Sequence, residues 1–408
     1  MDRTKIISFC DRWIIRCFYL LVIAIPFSRA IVEIASTLII MAWLLKKIFQ
    51  RDLSIPYTPL SLLIPLFVLL NIISMHNTAF GYVSIRGLAK IFQYLMIFFI
   101  VVDYMDKPRF FEKLVRLSLI VCSLIAIDGL IQYFIGFDLI RLRRMDVVAG
   151  KNRMTASFEH PNDFGAYLVL IIPLFMSLAI FGRLKRKVKI LSFLAISLLF
   201  IALALTYSRG AWAGVLAGIT FLAVVHKKRL VPAILILFLV SLFFIPSSFR
   251  NRVLQIFAFS SGSNQERVLI WRGAIKMIEV HPLIGHGVNT FCVNYPKYSL
   301  PQSNGGWYAH NCYLQMAGEI GLIGVSVFLL MMLVLFANRL RALKRLGNGN
   351  REVMLIGILS GLFGFLVHSF VDTNFYSLPL AVAFWFFCGM AIGTIKLEDR
   401  EDEKEKAK

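Results

Sequence analysis

Charge is scarce in this chain, and the charge that is present has mostly one sign. Asp, Glu, Lys and Arg make up 16% of the 408 residues, and 44 basic residues outnumber 23 acidic ones. Soluble domains are about 25% charged, whereas this sequence is 58% hydrophobic with a mean hydropathy of +0.74. The composition excludes an ordinary soluble domain and predicts a membrane protein that crosses the bilayer several times.

Cysteine is scarce as well, and its spacing excludes two kinds of site. The six cysteines form no Cys-x-x-Cys pair and no spacing typical of a metal centre. Neither a disulfide framework nor a cysteine-bound metal is therefore expected. Cys292 and Cys312 lie near the same predicted loop, where a disulfide and two separate thiols are both open alternatives.

Long apolar runs divide the sequence into twelve candidate membrane spans. A helix needs about 20 apolar residues to cross the hydrocarbon core. The spans run over 13–27, 31–48, 60–75, 88–104, 114–137, 163–182, 188–206, 210–226, 230–246, 312–337, 353–371 and 378–396. No small-residue cleavage site follows the first run, so we expect the first helix to be retained.

The spans predict an all-α organisation with one large loop. Helices one to nine occupy 1–246, a loop with an amphipathic helix occupies 247–311, and helices ten to twelve occupy 312–396. Residues 397–408 are highly charged and have no apolar side, so we expect a solvated, disordered tail.

Basic residues concentrate in alternate connections, for example at 183–189 and 339–351. By the positive-inside rule these connections and both termini lie in the cytoplasm, while the long loops at 138–162 and 247–311 lie outside. The net charge of +21 thus reflects topology. We expect the lipid bilayer, and no nucleic acid, as a partner.

The loop 247–311 contains a predicted helix. Residues 263–266 fit a capping box, apolar residues recur at Trp271, Ile275 and Ile278, and the helix should end near 281–282.

Arg267 lies in the first turns of that helix, on the same face as Trp271. Helix amides and the helix dipole favour an anion there, so Arg267 is a candidate phosphate ligand. The alternative is a helix that lies on the membrane surface, with Arg267 reaching lipid head groups.

Two more candidates stand where spans begin. His310 precedes the long helix that starts near residue 312, with Asn311 as its candidate cap. Histidine titrates near neutral pH and can act as a general base, although at a membrane boundary it can also be a surface or capping residue. Arg209 lies in the short connection between the seventh and eighth helices, where it either serves function or snorkels to lipid phosphate.

Arginines and a histidine at an outward face fit a substrate that carries its own activation, because nucleoside triphosphates are scarce outside the cell. A lipid-linked pyrophosphate is such a substrate, since guanidinium groups can bind its diphosphate and a histidine can take a proton from an acceptor hydroxyl. The outer segments hold no Asp-x-Asp pair, so we expect no metal and no cofactor, unless scattered carboxylates such as Asp163 and Asp372 converge in space.

Four motifs then follow in order. They are Ser208-Arg209-Gly210, Arg267-x-x-x-Trp271, the His-Pro-Leu-Ile-Gly-His-Gly stretch at 281–287, and His310-Asn311 followed after nine residues by Gly-x-x-Gly at 321–324. This order resembles the bacterial O-antigen ligase and polymerase superfamily over most of residues 150–375. The His-Asn element is most similar to that of the ligase branch.

The resemblance implies a GT-C-like membrane fold of about twelve helices, with a periplasmic active site in the bacterial inner membrane. The ligase branch moves O-antigen from undecaprenyl pyrophosphate to lipid A–core, in one inverting displacement without metal. His310 is then the base that activates the acceptor hydroxyl, and Arg209 and Arg267 bind the donor diphosphate. Arg272 is a weaker donor ligand because it turns to another helix face. Arg153 is a candidate for acceptor phosphates.

Three other functions remain open. An O-antigen or capsule polymerase and a protein O-oligosaccharyltransferase use the same donor, and the sequence separates them poorly from a ligase. The third is a transporter of a lipid-linked anionic glycan. Transporters usually place ionisable groups near the membrane midplane at broken helices, whereas the residues singled out here cluster at the outer edge.

Overall fold

The computed structural model of the chain describes residues 3–105, 108–138, 140–144, 147–148, 151–232, 262–300, 308–343 and 349–406. Helices dominate these residues. The exceptions are two short antiparallel pairs in the connection before the sixth span, namely β1 (Phe137–Asp138) with β2 (Arg143–Arg144) and β3 (Val147–Val148) with β4 (Lys151–Asn152).

The helices follow the predicted spans. In chain order they are α1 (Arg3–Phe27), α2 (Arg29–Gln50), α3 (Leu63–Ser74), α4 (Gly81–Tyr104), α5 (Pro108–Ile135), α6 (Pro161–Phe181), α7 (Arg186–Leu205), α8 (Arg209–Lys227), α9 (Gly262–Val280), α10 (Phe291–Asn294), α11 (Cys312–Ala342), α12 (Asn350–His368) and α13 (Leu378–Lys406). Every predicted span except the ninth falls on one of them. The ninth, at 230–246, lies almost entirely outside the described residues.

Seven of the described helices are long and apolar enough to cross a membrane: α4 to α8, α11 and α12. Helix α3 and the first part of α13 are apolar but shorter. A helix satisfies its own backbone hydrogen bonds, which is what a chain in hydrocarbon requires. The protein is therefore an all-α, multi-pass membrane protein, and the count of about twelve spans stays a prediction.

The expectation of a disordered tail is wrong. Helix α13 continues to Lys406 and so includes most of the charged segment that begins at residue 397. Glu, Lys and Arg are strong helix formers, which explains how the helix persists without an apolar side.

Helix α12 packs between α6 and α8 through small residues. A Cβ atom on Gly214 of α8 would lie 2.9 Å from the carbonyl oxygen of Gly364 in α12, and Gly361 packs against the backbone of α6 in the same way. Such residues let helix backbones approach closely inside a membrane. The packing fixes the end of α12, where His368 lies and from which the chain leads to Asp372.

One end of the bundle collects the connections that the sequence singled out. The amide of Met154, before α6, donates to the carbonyl of Leu205 at the end of α7 (2.9 Å). The amide of Cys312, at the start of α11, donates to the carbonyl of Ser369 after α12 (2.9 Å). The α5–α6, α7–α8 and α12–α13 connections therefore meet the start of α11, and we call this the loop end.

Helix α9 and the residues after it form a small core of their own on α11. Ile270, Ala274 and Met277 are buried against Phe291. One apolar face of α9 is thus covered by protein, and the alternative of a helix that contacts the membrane surface with another face stays open. The helix ends at Val280 as predicted.

The predicted apolar face of α9 is partly wrong. Ile275 is 46% exposed, whereas Ile270 and Ala274 are buried. Apolar residues occur around much of this helix, so their spacing alone does not show which side meets the protein.

Candidate active site

His310 stands immediately before α11 in a strained but fixed position. Its backbone is left-handed (φ 47°), a conformation that few residues other than glycine adopt. Asn311 caps α11 as predicted, because its side chain accepts hydrogen bonds from the amides of Tyr313 (3.0 Å) and Leu314 (3.1 Å). The cap fixes the point at which the helix begins, and with it the position of His310.

The residue before His310 is also held. The carbonyl of Ala309 accepts a hydrogen bond from the indole of Trp271 (2.9 Å), and its amide donates to the side chain of Gln315 (3.0 Å). The tryptophan of the Arg-x-x-x-Trp motif therefore contacts the residue that immediately precedes the His-Asn motif.

A carboxylate pairs with His310. Its Nδ1 atom lies 3.5 Å from Oδ1 of Asp372, at the outer limit of a hydrogen bond, and Oδ2 of Asp372 lies 3.9 Å from Nε2 of the buried His368. The sequence named Asp372 only among scattered carboxylates. Its position between two spans was the one signal that could have selected it.

The charge state of Asp372 follows from its neighbours. Burial alone would raise the pKa of this carboxyl, but the hydrogen bond with His310 and the positive charges around it, Arg267 among them, hold the pKa below its usual value. Asp372 is therefore an anion at neutral pH.

A cavity of about 290 Å³ opens beside this pair, and we call it the His310 cavity. Charged and polar side chains line much of it, including Arg29, Arg141, Asp163 and Tyr376. They come from the connections at the loop end and from the starts of α2 and α6. The cavity offers polar partners and space to a hydroxyl-bearing ligand.

Two arginines predicted to bind phosphate meet near the pair. Arg209 begins α8, and its Nη2 atom donates to Oδ1 of Asn264 in the first turn of α9 (2.6 Å). Arg267 follows three residues later on α9 and interacts electrostatically with Asp372 and His368. The structure therefore brings Arg209, Arg267 and His310 to one place, although neither arginine lines the His310 cavity itself.

Arg153 is placed differently. It is 7% exposed, and it donates from Nε to the carbonyl of Thr206 (2.8 Å) and from Nη2 to the side chain of Asn162 (2.9 Å). Its guanidinium thus holds the turn that leads into Arg209. An acceptor phosphate would have to displace these bonds, so we do not retain Arg153 as an acceptor ligand.

Arg272 is not brought into the group. It is exposed on α9, and five residues correspond to a rotation of about 140° from Arg267. The expectation that it turns to another face agrees with this placement.

The two glycine motifs form one structural unit. Helix α11 is interrupted at Gly321 (φ 71°, ψ 174°). The amide of Gly287 donates to the carbonyl of Glu319 (2.9 Å), and the amide of Leu322 donates to the carbonyl of Pro282 (2.8 Å). Backbone groups that the break would leave without partners are thus paired by the 281–287 turn.

A buried carboxylate reinforces this unit. The side chain of Glu319 accepts hydrogen bonds from the amides of Asn289 (2.9 Å) and Phe291 (3.2 Å) and from the hydroxyl of Tyr376 (3.0 Å). Tyr376 lines the His310 cavity, so Glu319 couples the broken helix to the cavity wall.

Cys292 and Cys312 are not joined in a disulfide. The thiol of Cys312 instead donates to the carbonyl of Asp372 (3.2 Å) and helps to hold that residue. Among the residues that the structure describes, no three His, Cys, Asp or Glu side chains form a group that could hold a metal ion. The expectation of a metal-free reaction stays a prediction.

Comparison with known proteins gives one match. Residues 194–329, about a third of the chain, match the family model described as O-antigen ligase. The matched segment contains Arg209, Arg267, Arg272 and His310, whereas Arg153 and Asp372 lie outside it. No curated protein matches the chain.

Proposed function

We propose that this chain, whose residues 194–329 match the family model described as O-antigen ligase, is an O-antigen ligase. It moves an O-antigen glycan from undecaprenyl pyrophosphate to lipid A–core on the periplasmic face of the inner membrane. The observation that supports this best is the pairing of His310 with Asp372 beside two arginines at one end of a membrane helix bundle.

His310 acts as the general base in this reaction. Its Nδ1 atom donates to Asp372, which leaves Nε2 to take the proton of the acceptor hydroxyl. The hydroxyl oxygen bonds to the anomeric carbon of the donor as the bond from that carbon to the diphosphate breaks. The electron pair leaves with the diphosphate, and this single displacement inverts the anomeric configuration.

Arg209 and Arg267 stabilise the leaving group. Negative charge grows on the diphosphate as its bond to carbon breaks, and planar guanidinium groups bind phosphate oxygens in pairs. A donor aimed at developing charge contributes about 10²–10³ in rate. In this proposal Arg153 positions the turn before Arg209, and Arg272 takes no part in donor binding.

Transfer by the purified protein in detergent tests the proposal. We expect wild-type protein with undecaprenyl-linked O-antigen and lipid A–core to form the joined product, and His310→Ala to form none. Transfer without a second compartment would contradict a transporter. Extension of a second undecaprenyl-linked glycan would indicate a polymerase, transfer to a protein would indicate an oligosaccharyltransferase, and no transfer at all would contradict the proposal.

The lipopolysaccharide of a strain that lacks the protein gives an independent test. A ligase defect removes the whole O-antigen ladder and leaves long glycan on the lipid carrier. Wild-type protein should restore the ladder and His310→Ala should not. Lipopolysaccharide carrying a single repeat would indicate a polymerase instead.

A further inference from the structure

Three cations that the proposed reaction does not use lie close together at the loop end. Arg29 is the first residue of α2, and Arg86 and Lys90 lie about one turn apart on α4. Lys90 interacts electrostatically with both arginines and with the acidic groups Glu33 and Glu319. We call Arg29, Arg86 and Lys90 the cation cluster.

The cation cluster has an excess of positive charge. Glu319 is buried and bonded to backbone amides, which leaves Glu33 to face three cations. Within the part of the chain that the structure describes, no member of the cluster forms a salt bridge. Like charges this close favour an anion between them.

The cation cluster adjoins two cavities. Arg29 lines the His310 cavity, while Lys90 lines a second cavity of about 80 Å³ whose walls are mostly apolar and include Trp385. Tyr376 lines both cavities. A phosphate held between Arg29 and Lys90 would thus have apolar surface on one side and His310 on the other.

The cation cluster is separate from the arginines assigned to the donor. Arg209 and Arg267 come from α8 and α9 and are linked through Asn264, whereas the cluster comes from α2 and α4. In a transfer between two lipid-linked substrates that both carry phosphate, each substrate offers an anion to a separate group of cations. The helix bundle provides two such groups of cations.

We propose that Arg29, Arg86 and Lys90 bind a phosphate of the phosphorylated glycolipid that accepts the glycan. This inference rests on the proposed function and names the place at which its acceptor binds. Charge-assisted hydrogen bonds from three side chains hold the phosphate oxygens, and the apolar wall beside Lys90 contacts the adjoining hydrocarbon. The cluster takes the role that the sequence suggested for Arg153.

Binding to the full-length protein in nanodiscs tests the site directly. The probes are bisphosphorylated lipid A and the same lipid after removal of its phosphates. We expect wild-type protein to bind the phosphorylated form about tenfold more tightly, because hydrogen bonds to charged groups are the strong ones. Arg29→Gln and Lys90→Gln should each lose most of this preference.

Two further variants serve as controls. Lys90→Arg keeps the charge and should keep the preference, and Lys276→Gln removes an exposed lysine of α9 and should not change it. Equal affinity of the wild-type protein for the two lipids would overturn the inference. Competition by inorganic phosphate at the lipid's concentration would assign the site to free phosphate and would overturn it as well.

Transfer kinetics separate acceptor from donor. We expect Lys90→Gln to raise the KM for the phosphorylated acceptor about tenfold and to leave the donor KM unchanged. A rise in the donor KM alone would assign the cation cluster to the donor diphosphate and overturn the inference. If wild-type protein transfers no glycan, the proposed function fails, and the binding comparison still decides the phosphate site.

Discussion

The imidazole of His310 and the carboxylate of Asp372 lie 3.5 Å apart, although 62 residues separate them in the chain. Their contact joins the start of α11 to the connection between α12 and α13. The side chain of Asp372 is 12% exposed and that of His310 is 40% exposed. A buried, charged partner thus orients a ring that stays open to the cavity.

Replacing His310 with alanine removes the proposed base. The transfer rate should fall by about 10²–10⁴, while donor affinity changes less than about twofold because the proposed mechanism assigns binding of the diphosphate to Arg209 and Arg267. Initial rates and direct donor binding check this. His76→Ala, an exposed histidine after α3, is the matched control and should keep the wild-type rate. A normal rate for His310→Ala would remove His310 from the mechanism.

Asp372→Asn keeps the size of the side chain and removes its charge. The imidazolium formed during proton transfer then lacks its anionic partner, so we expect the rate to fall at least about tenfold with little change in donor KM. Steady-state kinetics with each substrate varied in turn show whether the rate or the donor KM has changed. A variant that loses donor affinity and keeps the rate would show that Asp372 acts on binding instead.

Asp372 also predicts a pH dependence of stability. Its pKa is lower in the folded protein than the ordinary value of about 3.9, so the unfolded chain takes up its proton first as the pH falls. The stabilisation is complete above about pH 4 and is lost only below it. Thermal unfolding in detergent from pH 8 to pH 5 should therefore show the same change of stability with pH for wild type and Asp372→Asn. A change of stability with pH in this range that is present in the wild type and absent in the variant would contradict the prediction.

The sequence predicts much of the site but not the carboxylate. His310, Arg209 and Arg267 stand at helix starts, where motifs and charge in an apolar context make them visible. Asp372 becomes a partner of His310 only because α12 packs against α6 and α8 and places its end beside α11. That contact depends on tertiary packing, which the spacing of residues does not contain.

Arg209→Lys and Arg267→Lys test the need for guanidinium groups. Lysine keeps the charge but loses the planar fork, and Arg209→Lys also loses the present geometry of the bond to Asn264. We expect each variant to raise the donor KM or lower the rate by about tenfold or more. Lys276→Gln, which changes an exposed lysine of α9, is the control and should match the wild type. Full activity of both lysine variants would show that charge alone suffices.

Gly321→Ala tests the close packing of the 281–287 turn against the break in α11. Gly321 and Gly136 have similar positive φ angles (71° and 75°), but a Cβ on Gly321 would strike the carbonyl of Leu283, whereas a Cβ on Gly136 would meet no atom within 4 Å. We expect Gly136→Ala to cost about 1 kcal/mol from backbone strain and Gly321→Ala to cost at least about 3 kcal/mol. Unfolding in detergent measures both. Equal costs would show that packing against the turn does not require glycine.

Cys292 should react slowly. Burial, together with the charge of Glu319, raises the pKa of its thiol to about 12. At pH 7.5 the reactive thiolate is then about 10⁻⁴ to 10⁻⁵ of the total, against about one tenth for an ordinary cysteine. Maleimide should label Cys292 at least about 100-fold more slowly than a cysteine introduced by Lys276→Cys, as peptide mass spectrometry measures. Rapid labelling, or a peptide joined through Cys292 and Cys312, would contradict this.

The helices were predictable because apolar runs and backbone satisfaction in lipid leave the chain few choices. The side of α9 that faces protein was not, since Ile275 and Ile278 satisfy the helical period as well as Ile270 does. The relation between the 281–287 turn and Gly321 was also hidden. The sequence shows two glycine motifs 30 to 40 residues apart, and their contact exists only once α9 folds back on α11.

The break at Gly321 divides α11 into a first part, which begins beside His310, and the longer part that follows. Residues 312–320 form a short helical segment directly after His310. The 281–287 turn forms hydrogen bonds with this helix at the point where its own backbone hydrogen bonds are interrupted. A spanning helix changes its tilt when the thickness of the membrane changes. We expect a change of tilt in the stretch after Gly321 to be absorbed at this break, so that the position of His310 relative to the 281–287 turn is insensitive to the lipid composition of the membrane.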